Sequence, residues 1–249
     1  MTDKVAWTVE LHHAAPDGLA PGLLFDVRGD DPLQQFILGL SVAYNDLKDL
    51  HVVMTWLAAM PTDGPGGETH SQQRDGMIIQ QSKRAFACIH GILELLTAHR
   101  KLLRQPEVTR LLDRLSPRFR ADWDAMADVA LGRKDDPKSE MARKLAKIRH
   151  NFSAHYHQPR ALLRGYQRRF FHDSKHPRTR FALFAIGKDL EDSRFHFADV
   201  AVEGGMFDII APADIAPFVE EWGDLVESVN RAIFGLVREY LRSRGWVET

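Results

Sequence analysis

The sequence predicts a mainly α fold, an antiparallel bundle of long helices with a small β-hairpin insertion before the C-terminal helix. Three observations lead there. Apolar residues recur three and four apart over several long stretches, the spacing of one helix face. Clusters of Pro, Gly and Asp separate those stretches. Between about residues 158 and 211 the rhythm changes, and part of that region alternates with period two, as a strand does. At 249 residues, 44% hydrophobic and 27% charged, the chain can bury a core without disulfides.

Residues 1–29 are an N-terminal extension. Val5, Trp7, Val9 and Leu11 alternate as in a strand, and a Pro/Gly-rich passage follows. The N-terminus lacks an apolar signal core and no apolar run approaches the length of a membrane span, so a cytoplasmic protein without a membrane partner is expected. Residues 30–157 read as the bundle. Asp30 or Asp31 before Pro32 starts a helix, because a carboxylate caps free N–H groups and proline is tolerated in a first turn. Leu33, Phe36, Leu40, Ala43, Leu47, Leu50, Met54 and Leu57 then form its seam.

After the breaker-rich loop from Pro61 to Gly67, a second helix is expected over about 73–104, with Ala85, Cys88, Ile92, Leu95, His99 and Leu102 in the same rhythm. The short loop favours antiparallel packing of the two. Cys88, the sole cysteine, reads as a small buried hydrophobe. Pro106–Leu115 and Pro117–Leu131 read as shorter helices, the second opened by Ser116 and closed by Gly132. A further helix opens at Asp136-Pro137 and runs to His157.

Residues 158–211 are expected to hold a basic helix and the hairpin. Arg160, Arg164 and Arg168 recur every four residues, a stripe able to follow phosphates, while Tyr166, Phe171 and His172 offer stacking surfaces or core. Phe181–Ile186 and Ser193–Val202 read as two strands, Gly204-Gly205 as a turn, and Met206–Ile210 as a third short strand. Residues 212–249 return to the bundle through a seam from Ile215 to Tyr240.

Charge is unevenly spread. The chain carries −1 in total, yet residues 141–180 hold eleven Lys or Arg against Asp173 alone, +10 there and −11 elsewhere. Such a local excess suits a polyanion; a solvated basic face matched by an acidic one across a subunit contact is the other reading.

The excess begins where the chemistry concentrates, at Ile148-Arg149-His150-Asn151-Phe152-Ser153-Ala154-His155-Tyr156-His157. Met141, Leu145, Ile148, Phe152 and His155 continue one apolar seam, which puts an imidazole in a packed groove. On a straight helix Arg149 and His155 diverge by roughly 120°. Two chains packed about a two-fold axis, or a helix that breaks before His155, would let them converge. A metal site is a poorer reading, since His150 and His157 share a face that His155 does not, with no acid in the segment.

Arg149, a polar residue directly after it, and the Phe152-Ser153-Ala154-His155-Tyr156 ending resemble the Arg-x(4–6)-His motif of HEPN domains. The resemblance covers roughly residues 30–157 and the C-terminal helix. It implies an all-helical, dimeric endoribonuclease of the kind found in toxin–antitoxin and phage-defence systems, with RNA as substrate, no cofactor or metal, and an antitoxin or nucleotidyltransferase partner. In HEPN toxins silenced by nucleotidyltransferases the modified tyrosine lies two places after the histidine; here His157 stands there and Tyr156 comes one place earlier. In that scheme the RNA 2′-hydroxyl attacks, His155 carries the proton and Arg149 braces the phosphate, with His150, Asn151 and Tyr156 in support. The alternatives are a non-catalytic helical module that binds RNA, nucleotide or a partner protein, and a purely structural oligomer.

Overall fold

Asp31 starts the first long helix as its sequence dictates: its carboxylate accepts the Leu33 N–H at 2.8 Å, and Pro32 occupies the first turn. The computed structural model describes residues 19–25, 31–60, 67–132, 137–153, 160–172, 181–184, 186, 194–211 and 215–246. The predicted N-terminal strand lies outside them. The helices are α1 (Pro21–Leu24), α2 (Pro32–Ala59), α3 (Gly67–Ala98), α4 (Pro106–Asp113), α5 (Pro117–Leu131), α6 (Pro137–Ile148), α7 (Arg160–Gln167), α8 (His196–Met206) and α9 (Ile215–Ser243). A 3-10 turn, Leu102–Arg104, precedes α4, and single π-helical turns, Arg149–Ser153 and Arg168–His172, extend α6 and α7.

The seams predicted from the sequence meet in one core. Phe36, Leu40 and Leu47 of α2 face Phe86, Ile89, Ile92 and Leu96 of α3; α5 adds Trp123 and Met126, and α9 adds Val229, Ile233 and Leu236. Each such side chain, fully buried, contributes roughly 1.5–3 kcal/mol. α6 lays Met141, Leu145 and Ile148 into the same core against α3 and α5. Polar ties fix the register of α5 on α9: Arg231 Nε and Nη2 donate to the two Asp122 oxygens at 2.7 and 2.9 Å. α9 closes on Gly245 at φ +97°, a left-handed cap that only glycine adopts freely, with Trp246 N–H donating to Leu241 O at 3.1 Å.

Among the described residues the β-hairpin insertion is not found. No sheet strand occurs among the described residues, and most of the stretch expected as its second strand, 193–202, is the first part of α8. Residues 181–184 form no regular element; Leu183 O accepts the Phe197 N–H at 3.0 Å. The expected third strand, Met206–Ile210, is the last residue of α8 and the turns after it. The reason is burial. α8 lies between α7 and α3, so Val200, Ala201, Val202, Gly204 and Gly205 are all buried and no polar face marks the helix. A short apolar run with β-branched residues carries no period that separates strand from helix.

Gly204 and Gly205, read as a turn, instead sit where α8 crosses α7. A Cβ at Gly165 would fall 2.1 Å from Ala201 O, and one at Gly204 would fall 2.3 Å from Gly165 O, so the two backbones touch. The insertion is thus a helical pair docked on α3.

Candidate functional site

The seam of α6 positions the motif arginine. With Met141, Leu145 and Ile148 turned into the core, the next residue is carried to the edge of the bundle beside α3. There the α-helix gives way to the π-helical turn Arg149–Ser153, and the expected continuation of the motif helix to His157 lies outside the described residues. π-turns inside helices are rare and concentrate at functional sites. The side chain of Arg149 is 42% exposed.

Two residues one turn apart on α3 receive it. Arg149 Nη1 donates to Glu94 Oε2 at 2.6 Å and lies 3.2 Å from His90 Nδ1. His90 Nδ1 is also 3.3 Å from Glu94 Oε2. One ring nitrogen cannot serve both neighbours alike. Neutral His90 with its proton on Nε2 accepts from Arg149 through the Nδ1 lone pair, whereas a ring protonated at Nδ1 donates to Glu94 and, when charged, repels the guanidinium. Burial lowers the proton affinity of His90 from its ordinary value; Glu94 opposes that shift and Arg149 reinforces it. Near neutral pH the ring is therefore uncharged, and the group reads as a cation held between a carboxylate and a neutral imidazole.

His150 is exposed and Asn151 half-buried on the π-turn; His155 and Tyr156 lie outside the described residues. Arg143 and Lys147 are exposed on α6, and Lys144 pairs with Glu140 at 3.1 Å. Among the described residues no cluster of three His, Cys, Asp or Glu has metal-binding geometry.

The arginine stripe divides. Arg160 opens α7, its side chain outside the described set, and Arg164 is exposed. Arg168 is engaged by Asp208, while its neighbour Arg169 is buried against Glu203 at 3.3 Å with its guanidinium over the Phe207 ring. His99 belongs to the core: Nδ1 lies 3.0 Å from Leu95 O and the ring lies against Phe36. Cys88 is half-buried with Sγ 3.7 Å from Ala43 O, and burial pushes its thiol up to about 11, away from nucleophilic use.

Neither Glu94 nor His90 stands out in the sequence as a site residue. The available signal was their spacing of four, which puts an imidazole and a carboxylate on one stripe of a helix whose remaining stripe is apolar. Comparison of the chain with protein-family models, with curated proteins and with solved structures finds no match.

Proposed function

We propose that the protein is a metal-independent, HEPN-like endoribonuclease acting as a homodimer, with Arg149 of one subunit and His155 of the other at a shared site. The observation that supports this reading is the break at Arg149. The arginine of the motif begins a π-helical turn, its guanidinium reaches the surface, and exposed Lys147 and His150 flank it in sequence. A phosphate arriving there displaces Glu94 and takes the guanidinium fork, and His155 accepts the 2′-hydroxyl proton. The expected products carry 2′,3′-cyclic phosphate and 5′-hydroxyl ends. Incubating the purified, folded protein with total RNA tests this: cleavage lost in both His155→Ala and Arg149→Ala, with RNA affinity kept in the former, supports it. A folded dimer that leaves all RNA intact overturns it.

A second reading has an observation of its own. Glu94 already neutralises Arg149 at 2.6 Å, which suits a surface that captures an anion more than one that stabilises a transition state. Under that reading the protein is a binding module for RNA, nucleotide or an acidic partner, as part of a defence or toxin–antitoxin assembly. Arg164→Ala would then weaken RNA binding about as much as Arg149→Ala. Each phosphate contact removed lowers the salt slope by about one.

A further inference from the structure

α3 carries a second polar group on the stripe that bears His90 and Glu94. Gln80 and Lys83 lie on it, Lys83 seven residues before His90 and hence two turns away. Over this part of α3 the α7–α8 pair and residues 181–184 border an open cleft of about 720 Å³. That volume falls within the ~300–1,000 Å³ of pockets that hold small ligands.

The lining is asymmetric. Leu162, Tyr166, Phe197 and Val202 form apolar walls, and Gln80 and Lys83 form the polar end. Phe184 at the rim is 61% exposed, a large apolar surface that an occupant would cover. Water in such a space finds few partners along the walls, so an apolar body displaces it favourably.

The polar end is built rather than incidental. Lys83 is only 5% exposed, and its Nζ donates to Gln80 Oε1 at 3.0 Å. Gln80 Nε2 donates to Asp199 Oδ1 at 3.2 Å, and Asp199 accepts Arg194 Nε at 2.9 Å. This chain of bonds holds the amine at the cleft floor. Burial lowers the proton affinity of Lys83 while the Asp199 charge opposes that shift, and a further anion beside the amine favours the charged form.

We propose that the cleft binds a small amphipathic carboxylate, a fatty-acid-like molecule whose chain lies along the α7–α8 wall and whose carboxylate meets Lys83. A single amine beside an amide matches one carboxylate. A phosphate, with three acceptor oxygens and nearly two charges, calls for more donors than Lys83 and Gln80, the polar lining among the described residues, supply. The site is separate from Arg149 and does not depend on the ribonuclease reading.

Titration of the full-length protein with cis-parinaric acid, whose fluorescence rises in apolar surroundings, tests the proposal; competition by palmitate and by hexadecanol follows. Saturable binding of one acid per chain is expected, with palmitate competing at least about tenfold better than hexadecanol. Lys83→Met keeps an apolar stem and should weaken acid binding about tenfold while leaving hexadecanol unchanged. Ala198→Trp, placed on the exposed side of α8 where it lines the cleft, should weaken both without disturbing the core. Circular dichroism confirms that each variant is folded. Absence of saturable fluorescence overturns the proposal. Equal competition by acid and alcohol, or binding that survives Ala198→Trp, overturns it too.

Discussion

Replacing Gly165 by alanine separates the geometry of the α7–α8 crossing from ordinary helix propensity. In an unobstructed helix the change is favourable by up to about 1 kcal/mol, because alanine loses less backbone freedom on folding. At Gly165 the new Cβ would lie 2.1 Å from Ala201 O, 2.4 Å from Gly205 N and 2.9 Å from Gly205 Cα, where ordinary contact begins at 3.4 Å. All three are backbone atoms, so no rotamer relieves the clash and the helices must part by roughly 1 Å against a close-packed interior. Overpacking of this kind costs about 1–3 kcal/mol, and more when backbone must move. The upper end of that range, set against the propensity gain, leaves a net loss of about 2 kcal/mol, a fall of about 4–8 °C in Tm for a chain of this size. Gly223→Ala is the control, since a Cβ at this exposed position of α9 meets nothing within 4 Å and should raise Tm slightly. The assay is calorimetry of both variants, with amide hydrogen exchange to confirm that the loss of protection begins in α7 and α8. If Gly165→Ala matched Gly223→Ala in sign, the close approach of the two backbones would be refuted.

Three further outcomes are expected. Glu94→Gln removes the carboxylate that engages Arg149, leaving stability within about 0.5 kcal/mol because the pair is exposed, while affinity for a short RNA rises; fluorescence anisotropy showing unchanged affinity would count against Arg149 as an anion contact. The pKa of His90 followed by NMR should lie below its ordinary 6.5. The unfolded chain then binds the extra proton first, so the penalty is absent well above pH 6.5 and grows as pH falls through that value towards the folded pKa; His90→Gln should flatten this part of the stability profile. Asp122→Asn should cost about 1.5–3 kcal/mol at pH 7, measured by urea denaturation, through loss of the charged bonds to Arg231. Hydrogen bonding to Arg231 holds the Asp122 carboxyl below its usual range, so its contribution is complete above about pH 4 and disappears as pH falls through the folded value; a deficit that persisted undiminished in acid would contradict this.

Much of the bundle was legible in the chain. Asp31-Pro32 and Ser116-Pro117 mark their helix starts because capping and a fixed proline φ are properties of neighbouring residues. The seam from Phe36 to Leu57 is equally local, since residues three and four apart share a face whatever packs on it. The basic excess after Met141 was visible too, but not how it is spent: Arg168 on Asp208, Arg169 buried with Glu203, Arg164 left at the surface.

By itself, then, the sequence determined that long amphipathic helices form, where several begin, and which of their faces are apolar. Only the tertiary structure decided that residues 196–206 coil instead of extending, because two flanking helices bury nearly every side of that run and abolish the polar face by which a helix is recognised. Tertiary structure alone also set Arg149 against His90 and Glu94, which stand 59 and 55 residues earlier. Local propensity acts over a few residues, whereas a charge held between two helices depends on where those helices dock.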